Sequence, residues 1–152
     1  MSDFTRLLEF SLEGQQYALY FDAVDRVVQS VEITPLPTAL ESVLGVVNVQ
    51  GQVFPVLNIR KRFGIPDKEI ALTDHLIIAR TMRRTVILLV DSVKGVTEHS
   101  KAEISDSEKI VPGMEYIEGI VKFEAGMILI HDLDKFLSLD EEKALSDAMQ
   151  ED

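Results

Sequence analysis

The stretch that decides the fold is residues 45–61, GVVNVQGQVFPVLNIRK, because a similar stretch returns at residues 119–135, GIVKFEAGMILIHDLDK. In each copy an apolar strand leads through a turn into a second apolar strand, and a short helical turn follows. The copies begin about half a chain apart. They therefore predict two similar small β units within one molecule, the alternative being chance similarity between apolar hairpins.

The remaining apolar segments also have the period of strands. We expect a hairpin from residues 8–12 and 17–21 around Glu13-Gly14, and another from residues 76–79 and 85–90 around residues 81–84. A strand over residues 27–33 should end at Pro35 and Pro37, and Pro55 indicates an edge or a bulge. Short strands at regular spacing predict an all-β fold of closed barrels. Residues 86–90 are apolar on both faces, which predicts a strand between two packed layers.

Helix signals are few and short. Residues 59–63 form one predicted helical turn that ends before Gly64. Near the end of the chain, Ser138 and Glu141 have the spacing of a capping box, which predicts a short helix through about Met149.

Composition limits the classes of function. The chain has 152 residues, no cysteine and a net charge of −11, and residues 139–152 contribute six acids and one lysine to it. Nucleic-acid binding requires a basic surface, so we expect no nucleic-acid partner. The longest apolar run, residues 86–90, is too short to cross a bilayer, and residues 1–6 do not resemble a signal peptide. We expect a cytoplasmic protein without direct membrane insertion.

No motif for catalysis is apparent. The three histidines, His75, His99 and His131, lack the spacing of metal ligands, and no phosphate-binding loop is present, so we predict no metal site and no cofactor. An enzyme alternative would need Asp91, His131 and Asp132 to converge in a pocket. We expect instead that His131 is hydrogen-bonded locally at a hairpin end and that Asp91 accepts backbone N–H groups.

Two binding alternatives stay open. Arg60-Lys61-Arg62 is a small basic patch, which we interpret as a solvated face, the alternative being a docking contact for an acidic partner. A barrel that binds nucleic acid or sugar would need exposed aromatic residues and a basic groove, which ten aromatic residues, no tryptophan and the negative charge do not favour.

The ordered set of motifs resembles the CheW coupling-protein family over about residues 4–145. The matching segments are residues 17–27, Pro37, residues 45–59, residues 90–96 and residues 119–133. The resemblance implies two intertwined five-stranded SH3-like β-barrels on a shared core with a short C-terminal helix. It implies a first barrel of roughly residues 22–82, a second of roughly residues 4–21 plus 83–137, and a helix with an acidic tail at residues 138–152.

The resemblance also implies a function. Members of the family are non-enzymatic adaptors that join the regulatory domain of a CheA-type histidine kinase to the cytoplasmic tips of chemoreceptors, in membrane-associated arrays. The receptor lies in an apolar groove between the barrels. By position, the groove would comprise Val24, Arg26, Gly45, Asn48, Gln50, Gly51 and Val96.

The chain departs from the family pattern at two of these positions. Gln50 replaces an arginine of the motif Asn-x-Arg-Gly, and Arg26 stands where glutamate is common. An amide cannot reproduce the fixed donor fork of a guanidinium. The alternative function is therefore a CheW-like adaptor of a specialised or non-motility pathway with different partners.

Overall fold

A computed structural model describes residues 3–29, 32–36, 40–106 and 116–149. In these residues the chain is mostly β-structure, with two α-helices. The strands are β1 Phe4–Leu12, β2 Gln15–Tyr20, β3 Val24–Gln29, β4 Val43–Val49, β5 Gln52–Leu57, β6 His75–Arg80, β7 Thr85–Val90, β8 Ser92–Ser100, β9 Ile104–Asp106, β10 Ile117–Phe123 and β11 Gly126–His131. The helices are α1 Ile59–Arg62 and α2 Leu139–Ala148.

The strands form two sheets, which confirms the all-β, two-unit prediction. The first unit has the order β3-β6-β7-β5-β4 and the second has the order β8-β1-β2-β11-β10-β9. The second sheet thus has six strands where five were predicted, because the three-residue β9 pairs with β10. Each sheet contains one parallel pair, β5 with β7 and β11 with β2.

The internal duplication is confirmed by strand pairing. In the β4–β5 hairpin Leu44 is an extra residue between the pairs Val43–Leu57 and Gly45–Val56. In the β10–β11 hairpin Glu118 is an extra residue at the same place, between Ile117–His131 and Gly119–Ile130. A bulge at the same position of each hairpin shows that the repeated sequence forms the same backbone twice.

The predicted boundary between the units needs correction. Strand β7 pairs with β6 and β5 and so belongs to the first sheet, although the prediction assigned residues 83–137 to the second unit. The first sheet runs from Val24 to Val90, and a boundary at residue 82 would divide its β6–β7 hairpin. The cause is that β6 and β7 are a hairpin, whereas the boundary was placed in the turn between them.

Each unit has a small core of its own, and a larger core lies between them. On β6, Leu76 and Ile78 belong to the first unit's core, whereas the alternate residues Ile77 and Ala79 belong to the shared core. On β7, Ile87 belongs to the unit core and its neighbours to the shared one. Successive strand side chains point to opposite faces, so a strand between two cores must be apolar on both. This confirms the two-layer prediction for residues 86–90.

Several element boundaries differ from the sequence expectation. Strand β3 begins at Val24, and Ile59 begins α1 instead of ending β5. Strand β8 was not predicted, since its residues are mixed and only partly buried. Pro55 was predicted to mark an edge or a bulge, but it lies in the inner strand β5, where it pairs with Val46 of β4 and precedes the two residues that pair with β7. Val31, Pro37 and the acidic tail beyond residue 149 lie outside the described residues.

Both helical predictions are confirmed. Helix α1 is followed by Phe63 and by Gly64 at φ 70°, a left-handed conformation that glycine adopts without cost. At α2 the Ser138 side chain accepts from the Glu141 amide while Glu141 accepts from the Ser138 amide. In the described part of the chain, no helix has the length and apolar character needed to cross a membrane.

Candidate partner-binding groove

Val24 and Val96 lie on the outer strands of different sheets, β3 and β8. Val24 pairs with Ala79 and Val96 pairs with Leu8, and both partners belong to the shared core. Directly paired residues project to the same face of a sheet. The two valines therefore extend the shared-core faces of the sheets outward to their edges, where Val96 is 46% exposed.

A contact between β1 and the turn that precedes β3 lies near these edges. The Arg6 guanidinium of β1 lies 5.0 Å from the centre of the Phe21 ring, in the 3₁₀ turn that precedes Val24. Arg6 pairs with Glu98 of β8, and Phe4 shares its face and is 54% exposed. The edge of the shared core is thus bordered by apolar and aromatic side chains from both units. The sequence analysis did not name Phe4, Arg6 or Phe21 as groove residues, although Phe4 and Arg6 follow the alternating pattern of β1.

The β4–β5 hairpin carries four of the predicted groove residues, Gly45, Asn48, Gln50 and Gly51. Strand β4 is at one end of the first sheet's strand order and β3 is at the other. The Asn48 Oδ1 accepts from the Gly51 amide at 2.9 Å. Gln50 and Gly51 have φ of 52° and 88°, which is a two-residue turn of type I′. The structure therefore gives Asn48 and Gly51 local roles in the turn.

Gly45 has a packing role. A Cβ at this position would lie 2.4 Å from the carbonyl oxygen of Thr34, whose backbone exchanges two hydrogen bonds with Val46. Arg26, in turn, is exposed, lies 3.7 Å from the Asp25 carboxylate and pairs with Ile78 of the first unit's own core. Of the seven predicted groove residues, Val24 and Val96 are the two that lie on the shared-core faces of their sheets.

The three residues of the enzyme alternative do not converge. Asp91 lies in a cleft of the first unit, and His131 and Asp132 line a cleft of the second. Asp91 accepts from the Glu13 amide at 2.9 Å, as predicted. Burial alone would raise the pKa of Asp91, but the Glu13 amide and the guanidinium of Arg60 lower it. In the described residues, no three potential ligands are placed to hold a metal ion.

The expectation for His131 was wrong. The ring is 2% exposed and neither ring nitrogen has a hydrogen-bond partner. Its neighbours include Phe63 and Phe136, both in edge contact with it. Burial lowers the pKa of His131 to about 3, so the ring is neutral at neutral pH.

The basic patch is not a solvated face. Arg60 bonds to Glu13 and Asp91, each at 2.6 Å, and its side chain is 12% exposed. Arg62 is paired with Glu141 of α2 and lies 5.4 Å from the centres of two aromatic rings, Tyr116 and Phe136. Two of the three cations are therefore structural ties between distant parts of the chain.

The comparisons with known proteins agree with this architecture. The family model of the CheW-like domain matches residues 6–141. This chain belongs to the CheW-like domain family. Among its relatives, the chemotaxis protein CheW of Thermotoga maritima is 30% identical over 131 residues, which are 86% of each protein. The chemotaxis protein CheW of Rhizobium meliloti is 29% identical over 140 residues, covering 91% of this chain and 90% of the relative.

A solved structure supports the same conclusion about the fold. The scaffolding protein TtCheW from Thermoanaerobacter tengcongensis superposes with a TM-score of 0.81 at 28% identity, covering 90% of this chain and 94% of that one. Near-complete coverage in both directions means that the CheW-like domain accounts for both units and their shared core, not for one hairpin motif.

Proposed function

We propose that this CheW-like protein is a non-enzymatic adaptor that couples the cytoplasmic tips of chemoreceptors to the regulatory domain of a CheA-type histidine kinase. It would work in the cytoplasm, at membrane-associated receptor arrays. The observation that carries the proposal is the edge of the shared core, where Val24 and Val96 end two apolar faces from different units. The names of its relatives, chemotaxis and scaffolding proteins, support the same role.

The edge of the shared core suits a helical receptor tip. A bound receptor helix would bury apolar surface of Val24, Val96 and Phe4. Arg6, beside Phe21, would make polar contacts at the rim of the interface. A small apolar contact of this kind gives modest pairwise affinity. Repetition in an array raises the overall strength of attachment through effective concentration.

A specialised or non-motility pathway is not favoured, because relatives that align with most of this chain are chemotaxis proteins by name. Arg26 and Gln50 are both exposed, so they are placed to adjust the choice of partner and not the fold.

The test compares two valines of similar exposure. Val96 is 46% exposed on β8 and Val53 is 48% exposed on β5. We expect Val96→Asp to weaken binding of a receptor-tip fragment by about tenfold or more, since a carboxylate would be placed in an apolar contact. Val53→Asp should leave receptor binding unchanged. Calorimetric titration measures both, with a chemotaxis-kinase regulatory domain as the second ligand.

Binding of the kinase domain by the wild-type protein, retained in Val96→Asp, is the result that the adaptor proposal requires. Receptor binding that survives Val96→Asp would remove the proposed groove. Failure of the wild-type protein to bind any chemotaxis-type kinase domain would remove the coupling function itself.

A further inference from the structure

Strand β1 carries a buried acid on the face that points into the second unit's own core. Glu9 is 4% exposed, and its side chain lies on the same face as Leu7, which belongs to that core. The intervening Leu8 belongs to the shared core on the other face. Burial of an ionised carboxylate costs free energy unless another group compensates the charge. Glu9 therefore indicates a polar contact inside the second unit.

The duplicated fold shows which type of residue the first unit has at this position. In each unit, the residue that pairs with the glycine after the hairpin bulge has a parallel partner, Ile87 of β7 in the first and Ala18 of β2 in the second. The antiparallel partner of Ile87 is Ile78, and the antiparallel partner of Ala18 is Glu9. Glu9 thus has the place of Ile78, which belongs to the first unit's own core.

The neighbouring strand differs between the units in the same sense. Leu7 of β1 and Leu76 of β6 are equivalent, because each lies two residues before the position just compared. Leu7 pairs with Thr97 of β8, whereas Leu76 pairs with Val28 of β3, which packs on the first unit's core. Two neighbouring strands of the second unit thus carry polar side chains where the first unit is apolar, a departure that is expected at functional positions.

The group that compensates Glu9 is a histidine of β8. Gly95 lies directly opposite Glu9 and has no side chain, and the Glu9 carboxylate reaches diagonally to His99, where Oε2 lies 3.8 Å from Nε2. The same ring nitrogen lies 2.8 Å from the Thr97 Oγ1, and Nδ1 lies 3.6 Å from the Glu103 carboxylate. The His99 side chain is 15% exposed. The imidazole therefore lies between two carboxylates, one of them buried.

The strength of this contact depends on the charge of the imidazole. An imidazole ordinarily changes charge between pH 5 and 8. A protonated His99 forms ion pairs with Glu9 and with Glu103, whereas a neutral His99 leaves the buried carboxylate of Glu9 without that compensating charge. Protonation therefore stabilises the folded arrangement, and its contribution is present on the acid side of the imidazole titration and lost as the pH rises.

We propose that Glu9 and His99 form a proton-dependent latch that fastens β8 to β1, closed when His99 is charged and weakened when it is neutral. Strand β8 ends the strand order of its sheet, so its pairing with β1 is what holds it in the sheet. The latch spans the part of this pairing that contains Val96. Its consequence for receptor binding at Val96 rests on the proposed adaptor function, whereas the latch itself does not.

Other titratable groups share this side of the second sheet. In the described residues they come from β1 and the residue before it, β2, the 3₁₀ turn Lys101–Glu103 and β9, and they are Asp3, Glu9, Tyr20, Lys101, Glu103 and Asp106. Burial and, less strongly, the charge of Glu118 raise the pKa of Tyr20, which stays neutral between pH 6 and 8.5. Of the side-chain types present, an imidazole is the one that ordinarily changes charge in that range.

The test is a double-mutant cycle of Glu9→Gln and His99→Gln in the full chain, measured by urea unfolding at pH 6 and at pH 8.5. We expect the two substitutions to be coupled by fivefold or more in the unfolding equilibrium constant at pH 6 and by less than twofold at pH 8.5. His131 is present in all four proteins, so its own pH dependence cancels. Equal coupling at both pH values, or no coupling at pH 6, would overturn the proposal.

Glu98→Gln is the matched control. Glu98 is an exposed acid next to His99 in sequence, but it pairs with Arg6 and lies on the other face of β8. Its coupling to His99→Gln should stay below twofold at both pH values. Coupling at Glu98 as large as that at Glu9 would mean that the acidity of β8, and not the buried contact, is what is measured.

Hydrogen exchange of the wild-type protein gives a second test that needs no substitution. The amides of Thr97 and His99 face β1, since the Lys101 amide two residues on donates to Asp3 and the pattern alternates. Their protection, corrected for the intrinsic effect of pH, should fall fivefold or more relative to β6 amides between pH 6 and pH 8.5. An unchanged ratio would overturn the latch. Neither measurement uses a receptor or a kinase, so failure of the latch is distinguishable from failure of the adaptor function.

Discussion

At the scale of single residues, equivalent positions of the duplicated fold have different tolerances. Gly45 and Gly119 follow the bulge in their hairpins. A Cβ at Gly119 would meet side-chain atoms at 3.0 and 3.3 Å, which can shift, whereas a Cβ at Gly45 would meet the Thr34 backbone oxygen at 2.4 Å. Gly45 was predicted to line the groove, but its lack of a Cβ is also needed for packing. Any substitution at Gly45 therefore alters packing as well as the predicted groove.

We expect Gly45→Ala to reduce the free energy of unfolding by at least about 2 kcal/mol, because the backbone bridge between Thr34 and Val46 must open. Gly126→Ala is the matched control, since its Cβ would only contact the Phe123 ring at 3.5 Å, and it should change stability by less than about 0.5 kcal/mol. Urea denaturation measures both. Equal stabilities would show that the Thr34 contact does not constrain Gly45.

His131 should make stability depend on pH. The pKa of His131 is about 3 in the folded protein, whereas its ordinary value is 6.5. Between these two pH values the ring is protonated in the unfolded chain and neutral in the folded one. The contribution of the neutral His131 to the free energy of unfolding is fully present above pH 6.5. It is lost as the pH falls toward 3, by up to about 1.4 kcal/mol per pH unit.

His131→Leu, which copies Leu57 of the first unit, removes this titration. We expect the variant's advantage in unfolding free energy over wild type to grow between pH 7 and pH 4.5. The comparison of the two proteins cancels the carboxylates that both contain. A constant difference over that range would contradict a buried neutral histidine.

At the scale of elements, α2 is attached by few apolar contacts and several polar ones. Leu145 is its fully buried residue. The Arg84 guanidinium donates to Glu142 at 2.9 Å and to Ser146 at 2.7 Å, and Arg62 pairs with Glu141. The acidic C-terminal helix is therefore docked on the body by two arginines.

Leu145→Ala should cost about 2–5 kcal/mol of unfolding free energy, as large-to-small changes at filled core positions do. Leu139→Ala, at the first residue of the same helix and 68% exposed, should cost less than about 0.5 kcal/mol. Thermal and urea unfolding followed by circular dichroism measure the difference. A small effect at Leu145 would mean that α2 docks through its ion pairs alone.

The elements that sequence reasoning predicted correctly are those with a strong period. The β1–β2, β4–β5, β6–β7 and β10–β11 hairpins have alternating or continuous apolar strands around short turns. Strand β8 carries mixed residues because it forms a sheet edge, and only its pairing with β1 reveals it. Partners far apart in sequence were equally hidden. Local spacing in the sequence predicts neither the ion pairs of Arg60 with Glu13 and Asp91 nor the lack of a hydrogen-bond partner at His131.

At the scale of the whole molecule, duplication explains the fold and the place of the candidate groove. Two copies of one β unit bury a common core, and their outer strands carry the partly buried Val24 and the exposed Val96 at its edge. The residues of the groove came from resemblance to the CheW family and stay a prediction; the strand partners of Val24 and Val96 belong to the shared core.

The most direct test of the adaptor account is recruitment of a chemotaxis-type kinase to receptor-bearing vesicles, measured by co-sedimentation. The account predicts that the kinase sediments with the vesicles when this protein is present, and that Val96→Asp abolishes recruitment while Val53→Asp preserves it. Equal sedimentation of the kinase with and without the protein would contradict the central claim.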